Sequence, residues 1–539
     1  MHAAGSWARN GDAGRPRFGL RLGCQTITLT GPALLPTTAF FMANLPDPVS
    51  ADTRFFGHPR GLATLFFTEM WERFSYYGMR AILILFMTDQ IAKGGLGFND
   101  SKAGAVYGLY TAMVYLMCLG GGWVADRITG QRRAVLAGGI LIVAGEFCLV
   151  APGIGLFYSG LALLIFGTGL LKGNVSTIVG QLYRKGDPRR DSGFSIFYMG
   201  INLGALIAPI FCSYVGEKIN WRLGFGVAGI GMLLGVVQYV WTGKYLGEAG
   251  LRPAGTGDPD LDRRQRRSAI LGVAIGLGVC ALVAVLAAAG AISLSVTEIS
   301  DGLGWGLLAI AVVVFAWMIF SRGWTLEERK RSAAILVLFI ASALFWASFE
   351  QAGSSLNLFA ERSTDRMVLG WEFPAGWFQF VQPIFVVTLA PVFAWLWLAL
   401  NRRKVEPSSP AKFAIGLLWA ALAFAILVPA AKMAVGGAQV AIWWLTGTYF
   451  LQTVGELCLS PVGLSAMTKL APERAGGFVM GIWFLSTAIG NWLAGKAGSL
   501  YSSMPLPTLF GSVAAFSFAT AIVLALLIKP TVKLMSGVK

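Results

Sequence analysis

Four ionisable side chains interrupt an apolar segment near the start of the chain, within the stretch E-M-W-E-R-F-S-Y-Y-G-M-R at 69–80. They are Glu69, Glu72, Arg73 and Arg80. The segment itself, 61–87, is long enough to cross a bilayer, and at about 100° per residue the four side chains share one helical face with Tyr76 and Tyr77. Ionisable groups at membrane depth cost about 2.5–3.5 kcal/mol each on insertion scales, so they normally face a bundle interior or a water-filled cavity. The stretch therefore predicts a transport pathway.

The same four charges also have a structural explanation. Glu72 and Arg73 can pair with each other, and such a cluster of ion pairs would lock this helix to its neighbours. In either case a proton carried inside the membrane must be bound by a carboxylate, because the only histidines, His2 and His58, precede the first apolar segment.

The composition is that of a membrane protein. Hydrophobic residues make up 55% of the chain and charged residues only 13%, about half the charged fraction of an ordinary soluble domain. The net charge of +16 comes from basic residues in the connections between apolar segments, which favours membrane topology over nucleic acid binding. The six cysteines show no spacing typical of a disulfide framework or a metal site, so we expect no metal and no cofactor.

Fourteen apolar segments follow residue 58, in groups of six, two and six. They lie at about 61–89, 103–125, 134–151, 155–183, 192–214, 223–243, then 268–292 and 303–321, then 332–360, 373–400, 411–434, 440–470, 476–500 and 508–529. This series predicts an all-α membrane protein made of two six-helix bundles and two inserted helices.

The expected divisions of the chain follow from this series. The two inserted segments carry no charge over 269–297, which predicts a lipid-facing hairpin that serves as a spacer. Residues 1–53 are a cleaved signal, a disordered tail or, as we expect, a stretch upstream of the natural start at Met42. The divisions are an N-terminal extension at 1–54, an N-terminal bundle at 55–243, a linker with the inserted hairpin at 244–330, a C-terminal bundle at 331–530 and a tail at 531–539.

Basic residues mark one side of the membrane. They are concentrated in the connections after every second segment of the two bundles, for example at 132–133, 189–190 and 402–404. Connections rich in Lys and Arg stay in the cytoplasm. The pattern therefore predicts a multi-pass protein of the cytoplasmic (inner) membrane with both termini in the cytoplasm.

The connection after the second segment, G-G-W-V-A-D-R-I-T-G-Q-R-R at 121–133, resembles the signature loop of the major facilitator superfamily. That fold has two six-helix halves with the substrate bound between them at mid-membrane. In this superfamily the loop controls gating rather than substrate contact. The resemblance implies a gating role for Asp126.

Four further stretches resemble the proton-dependent oligopeptide transporter (POT/PTR) family. Residues 69–78 look like its E-x-x-E-R-F-x-Y-Y-G motif. The stretches similar to its fifth-, seventh- and tenth-helix signatures are F-Y-M-G-I-N-L-G-A-L-I-A-P at 197–209, F-W-A-S-F-E-Q at 345–351 and G-E-L-C-L-S-P-V-G-L-S at 455–465. The resemblance runs from about residue 55 to 530 and includes the two inserted helices of bacterial members.

This resemblance implies a site for the two ends of a peptide. Arg80 and Lys172 would attract the carboxylate, and Glu456 with Asn202 would hold the amine. The chemistry is sensible on its own, because a short peptide is a zwitterion and a cavity with charges of opposite sign on its two walls recognises both ends. Aromatic candidates for the side-chain pockets, for which membrane packing is the alternative, are Tyr76, Tyr77, Tyr115, Trp346 and Trp483.

One further candidate departs from the family pattern. Gln382 precedes Pro383 where family members commonly carry asparagine. Glutamine keeps both amide functions but reaches one methylene further. We therefore include Gln382 among the substrate-binding candidates.

The candidates for proton coupling are the carboxylates Glu69, Glu72 and Glu350, with Arg73 beside the first two. The resemblance suggests that Glu350 pairs with Arg80 across the cavity. A proton on Glu350 would break this pair and free Arg80 for the peptide carboxylate.

The predicted function is uptake of di- and tripeptides driven by the proton gradient, with peptides, protons and membrane lipid as partners and no nucleic acid. An enzyme is not expected, because the sequence has no nucleophile with its base, no metal constellation and no phosphate loop. Two alternatives stay open, namely the same fold carrying another anionic or zwitterionic solute, and a sensor built on this fold. Glu456 favours a substrate with an amine, since a carboxylate would repel a lone anion.

Overall fold

A computed structural model describes residues 51–184, 186–253, 258–288, 295–321, 323–472 and 476–537 of this chain. The predicted Met42 start and most of the extension at 1–54 lie outside the described residues.

The N-terminal bundle consists of six long helices. Asn99 caps the second of them by accepting a hydrogen bond from the backbone N–H of Lys102 at 2.9 Å, and a π-helical turn, Ala125–Thr129, extends its other end. The helices are α1 (Arg60–Thr88), α2 (Asp100–Val124), α3 (Gln131–Val150), α4 (Ile154–Gln181), α5 (Arg190–Lys218) and α6 (Trp221–Thr242).

Two inserted helices follow, α7 (Pro259–Ala288) and α8 (Val296–Phe320). The C-terminal bundle begins with a capping box in which Thr325 and Glu328 bind each other's backbone N–H groups. Its helices are α9 (Leu326–Phe349), α10 (Ser355–Arg362), α11 (Phe378–Arg402), α12 (Ser409–Ala425), α13 (Leu427–Met433), α14 (Trp443–Leu470), α15 (Gly476–Ser499) and α16 (Leu506–Leu534).

Short elements complete the described chain. Strands β1 (Met367–Val368) and β2 (Trp371–Glu372) form an antiparallel hairpin between α10 and α11. The 3-10 segments are Ile91–Lys93, Gly243–Leu246, Glu350–Gly353 and Ala375–Trp377.

The all-α prediction with fourteen membrane segments is confirmed. Eleven described spans are long and apolar enough to cross a membrane, and α1, α7 and α14 lie at the other three predicted positions. Two predicted segments are interrupted, at Glu350–Gly353 and at Ile426. Hydropathy predicts each of these two segments as one continuous span.

Each bundle is held together by its own helix contacts. Helix α1 packs on α5 and α6, α3 packs on α4 and α6, and in the second bundle α12 packs on α14 and α16. Glycine allows the closest approach, because a Cβ at Gly204 of α5 would overlap the Met70 carbonyl oxygen of α1.

The two bundles meet along α2 and α15 and are joined by polar contacts where α1 ends and α2 begins. Arg362 of α10 donates to both carboxylate oxygens of Asp100, at 2.8 and 2.9 Å. Glu217 of α5 accepts the backbone N–H groups of Ala375 and Gly376 at 2.6 and 2.8 Å. We call this end of the bundles the closed end and the opposite one the far end.

The inserted helix α8 differs from the predicted lipid-facing spacer. It packs on α2, α9 and α15, its Asp301 forms an ion pair with Lys496, and its Gly304 lies against the Trp492 ring. Its opposite face is exposed, with Trp305 68% accessible. Only one face of α8 is therefore free for lipid, because small side chains on the other let it lie against the seam between the bundles.

Candidate functional site

The E-x-x-E-R stretch folds into a buried cluster on α1. Arg73 Nε lies 3.2 Å from Glu69 Oε1 and also contacts Glu72 Oε2, and the three residues are no more than 2% exposed. Glu69 Oε2, Glu72 Oε1 and Arg73 Nη2 have no hydrogen-bond partner among the described residues. Two carboxylates share one guanidinium here, so binding one proton would make the cluster neutral.

Arg80, two turns further along α1, contacts the C-terminal bundle. Its Nη2 lies 2.6 Å from Glu350 Oε2, and its Nε donates a hydrogen bond to the Tyr107 hydroxyl at 2.6 Å. Arg80 and Glu350 are 4% and 2% exposed. The pair joins the two bundles inside the protein, where few water molecules can screen it.

A break in the helix brings Glu350 to this position. Helix α9 ends at Phe349, and Glu350 begins the 3-10 segment that leads to α10. The last carbonyl groups of a helix lack an intrahelical hydrogen-bond donor. Here Arg80 Nη2 donates a hydrogen bond to the backbone carbonyl oxygen of Glu350 at 3.4 Å. Gly353 is needed in the same turn, since a Cβ there would overlap the Tyr107 hydroxyl.

Lys172 of α4 has an aromatic neighbour and no described anionic partner. Its Nζ lies 4.1 Å from the centre of the Tyr115 ring, a cation–π contact that stabilises the charge away from bulk water. The side chain is partly exposed, and within the described chain it forms neither a hydrogen bond nor an ion pair. Its ammonium group can therefore still bind an anion.

Glu456 is the corresponding charge on the C-terminal bundle. It lies on α14, is partly exposed, and forms no hydrogen bond or ion pair with any residue that the structure describes. Asn202 of α5 donates its amide to the Tyr198 carbonyl of its own helix at 3.0 Å. Lys172 and Glu456 thus supply opposite charges from different bundles.

Two of the predicted aromatic residues lie near the arginines of α1. Arg73 lies 5.3 Å from the centre of the Tyr76 ring, and Arg80 lies 6.0 Å from that of Tyr77. Trp346 is 9% exposed, and its Nε1 has no partner among the described residues, as is also true of Gln382 Nε2. The described chain therefore leaves both of these buried donors unsatisfied, and their role in substrate binding stays a prediction.

Two further predicted residues have other described neighbours. Trp483 of α15 packs over Gly463 of α14, with its ring centre 6.5 Å from that of Phe413. Asp126 is exposed in the π-helical turn after α2 and accepts a hydrogen bond from Gln131 at 2.8 Å. Their roles in binding and gating stay predictions.

Sequence reasoning missed Tyr107, which contacts Arg80 directly. No pattern in the sequence separates it from Tyr110 and Tyr115 on the same helix, since all three interrupt an apolar segment. It also missed Glu217 at the closed end, whose two acceptor bonds go to backbone groups that the sequence does not identify.

Tyr107→Phe should lower peptide uptake about tenfold, without loss of inserted protein. The change leaves the Nε donor of Arg80 buried and unpaired, and a hydrogen bond to a charged group contributes about 1.5–3 kcal/mol. Uptake by proteoliposomes per amount of reconstituted protein is the measurement. Tyr110→Phe is the matched control, because Tyr110 is equally buried on the same helix but forms no described hydrogen bond; equal losses in both variants would contradict a role through Arg80.

Comparison with known proteins gives a consistent result. The family model PTR2, described as the POT family, matches residues 132–255 and 265–526. The chain is 43% identical over 486 residues to the uncharacterized transporter YclF of Bacillus subtilis, and 40% identical over 496 residues to the peptide transporter YePEPT of Yersinia enterocolitica, covering 90% of this chain and 96% of each relative. It is 35% identical over 494 residues to a di-/tripeptide transporter of Lactococcus lactis, covering 90% of this chain and 98% of the relative.

Solved structures agree with these matches. A crystal structure of a peptide transporter POT in complex with sulfate has a TM-score of 0.84 and 43% identity, covering 90% of this chain and 98% of that one. A POT family transporter in complex with a thioalcohol-conjugated peptide has a TM-score of 0.82 and 36% identity, covering 88% and 98%. These relatives and structural neighbours are transporters, not enzymes.

Proposed function

Because the chain belongs to the POT family of transporters, we propose that it takes up di- and tripeptides together with protons by alternating access. Two of the relatives are named as peptide transporters, and one neighbouring structure holds a peptide conjugate. Proton coupling and the restriction to short peptides are the finer parts of the proposal. They are supported by the arrangement of charges in the site.

One observation carries the proposal, namely that a lysine of the N-terminal bundle and a carboxylate of the C-terminal bundle have no oppositely charged partner among the described residues. Lys172 of α4 forms only the contact with the Tyr115 ring, and Glu456 of α14 has no described partner. A zwitterionic peptide supplies a carboxylate for the first and an ammonium group for the second. Arg80 and Asn202 would assist at these two ends.

The groups around these charges suit peptide side chains of different kinds. Tyr76, Tyr77 and Tyr115 offer aromatic surfaces, and Trp346 and Gln382 offer donors without described partners. Such a site fixes the two ends of a peptide and accepts varied side chains between them. Trp483 would act on this pocket from the neighbouring α15.

Protons would enter the cycle at buried carboxylates. A proton on Glu350 removes its attraction for Arg80 and frees that side chain for the peptide. The cluster of Glu69, Glu72 and Arg73 is the second candidate, because it holds two carboxylates for one guanidinium. Both positions lie on or against α1, so a proton at either would change how this helix meets its neighbours.

Alternating access requires the polar contacts of the closed end to break. These include the Asp100–Arg362 ion pair and the bonds from Glu217 to backbone N–H groups. Basic connections, such as the one containing Arg402, lie at the far end, which is therefore the proposed cytoplasmic side. Asp126 lies at the same end, where a gating role is proposed. On this orientation both termini are cytoplasmic and the protein lies in the inner membrane.

The test is uptake of a labelled dipeptide by proteoliposomes under an imposed pH gradient. We expect accumulation that collapses when the gradient is removed, and competition by unlabelled free dipeptide but weak competition by the N-acetylated form, which lacks the ammonium group for Glu456. In Glu456→Gln the two competitors should become similar, because a charged hydrogen bond of about 1.5–3 kcal/mol corresponds to about ten- to a hundredfold in affinity. Transport of another solute but no peptide, or binding without transport, would contradict the proposal.

A further inference from the structure

A cavity of about 960 Å³ lies in the C-terminal bundle at the far end. It is bounded by α11, α14, the start of α12 and the end of α16. Ser465, which lines it, follows Glu456 by nine residues and so lies about 180° around α14 from that carboxylate. The cavity is therefore separate from the site between the two bundles.

The lining changes from apolar to charged along the cavity. Its inner part is formed by side chains such as Phe393, Leu457 and Val462, and its mouth by three lysines and one glutamate. The charged residues are Lys404, Glu406, Lys412 and Lys469. A ligand with an apolar body and an anionic head matches this division.

Glu406 forms an ion pair and a hydrogen bond with other residues at the mouth of the cavity. Its Oε1 lies 2.5 Å from Lys412 Nζ, and its Oε2 accepts a hydrogen bond from Asn401 at 2.6 Å. The hydrogen bond from Lys412 holds the pKa of Glu406 below its usual range, assisted by Asn401 and opposed by partial burial. Glu406 is thus ionised at neutral pH and balances one lysine, which leaves the mouth with an excess of positive charge.

Lys412 is fixed in place. It is 7% exposed and its Nζ lies 4.4 Å from the centre of the Trp397 ring. Lys404 is different, because it is exposed at the rim and its ammonium group has no partner in the described part of the chain. The buried, oriented Lys412 and the exposed Lys404, which has no described partner, together offer two ammonium groups to an anion.

The cavity is within reach of the membrane. On α11, Trp395 and Leu398 flank the lining residues and are 68% and 53% exposed. The residues Arg402 and Arg403 mark the end of the same helix, where Lys and Arg meet lipid headgroups. Basic pockets between transmembrane helices at this level suit anionic phospholipid headgroups.

We propose that this cavity binds an anionic phospholipid, with the phosphate headgroup at Lys404 and Lys412 and an acyl chain along Phe393 and Leu457. The lipid joins α11, α14 and the start of α12, so its binding stabilises the far end of the C-terminal bundle. A zwitterionic phospholipid adds no net negative charge and binds less well.

The experiment measures the thermal unfolding midpoint of the purified full chain in dodecyl maltoside during titration with dioleoylphosphatidylglycerol, dioleoylphosphatidylcholine or inorganic phosphate. Phosphatidylglycerol should raise the midpoint in a saturable way, with the other two giving little change. In Lys404→Gln the half-saturating phosphatidylglycerol concentration should rise about fivefold, since a basic residue near an anionic surface contributes about 1 kcal/mol. Lys404→Arg should restore it.

Two further variants separate this site from the general charge of the protein. Lys244→Gln removes an exposed lysine of the other bundle at the same end and should leave the titration unchanged. Ala394→Phe fills the cavity without changing its charge and should also weaken the response. Equal shifts with the two lipids, an unchanged response in both Lys404→Gln and Ala394→Phe, or a full shift with phosphate alone would overturn the proposal.

Discussion

Replacing Glu350 by glutamine is expected to abolish the accumulation of peptide driven by a pH gradient, while exchange of peptide between preloaded vesicles and the medium continues. Glu350 Oε2 lies 2.6 Å from Arg80 Nη2, and both side chains are buried. Glutamine copies the neutral, protonated carboxyl group permanently. Because the variant binds no proton here, its transport follows the peptide gradient alone.

The expected effect is large because the proton gradient supplies the driving force. With one proton for each peptide, a difference of one pH unit supports about a tenfold accumulation. The variant should reach equal peptide concentrations on the two sides. Thermodynamic linkage adds a second measurement. In the wild-type protein, bound peptide must raise the affinity for protons by the same factor by which protons raise the affinity for peptide. The Glu350→Gln variant should lose this coupling.

Glu146→Gln is the matched control for this experiment. Glu146 is a fully buried carboxylate of α3 that accepts a hydrogen bond from Ser75 at 2.8 Å. We expect the Glu146→Gln variant to accumulate peptide as the wild-type protein does. If Glu350→Gln still concentrates peptide against its gradient, the coupling proton binds elsewhere, with Glu69 and Glu72 as the next candidates.

Lys172→Ala should be inserted normally but lose peptide uptake. The Lys172 ammonium group lies 4.1 Å from the centre of the Tyr115 ring and has no anionic partner in the described chain. A peptide carboxylate bound there would contribute about 1.5–3 kcal/mol, or about ten- to a hundredfold in affinity. The measurement is the concentration dependence of dipeptide counterflow in proteoliposomes.

If Lys172 binds the peptide carboxylate, the protein should distinguish peptides with a free C-terminal carboxylate from peptides in which that group is blocked. The wild type should prefer a free dipeptide to its C-terminal amide, whereas Lys172→Ala should transport both equally poorly. Lys102→Ala is the control, because the partly exposed Lys102 makes a similar contact at the start of α2, 3.8 Å from the centre of the Phe98 ring. Wild-type uptake by Lys172→Ala would show that this lysine is merely tolerated in the membrane.

The sequence by itself determined the helices and the face on which the first charges lie. The helical periodicity of side chains and the hydropathy of a segment are local properties. The fourteen segments and the shared face of Glu69, Glu72 and Arg73 therefore follow from neighbouring residues alone. The choice between a pathway and a cluster of ion pairs did not follow. The structure shows that Arg73 contacts both carboxylates and that polar atoms remain unpaired there, so the cluster is built from ion pairs without being saturated.

Periodicity and hydropathy did not decide which charges meet; the family resemblance suggested the pair of Arg80 and Glu350, and the tertiary structure shows it. Arg80 and Glu350 are 270 residues apart, and their contact depends on the end of helix α9 at Phe349, inside a segment that hydropathy predicts as one span. Tyr107 joins them because Gly353 lets the turn approach, while Lys172 and Glu456 are left without described partners. Pairing of this kind depends on how separate helices pack, and a pattern read along one helix carries no information about the side chains that another helix presents to it.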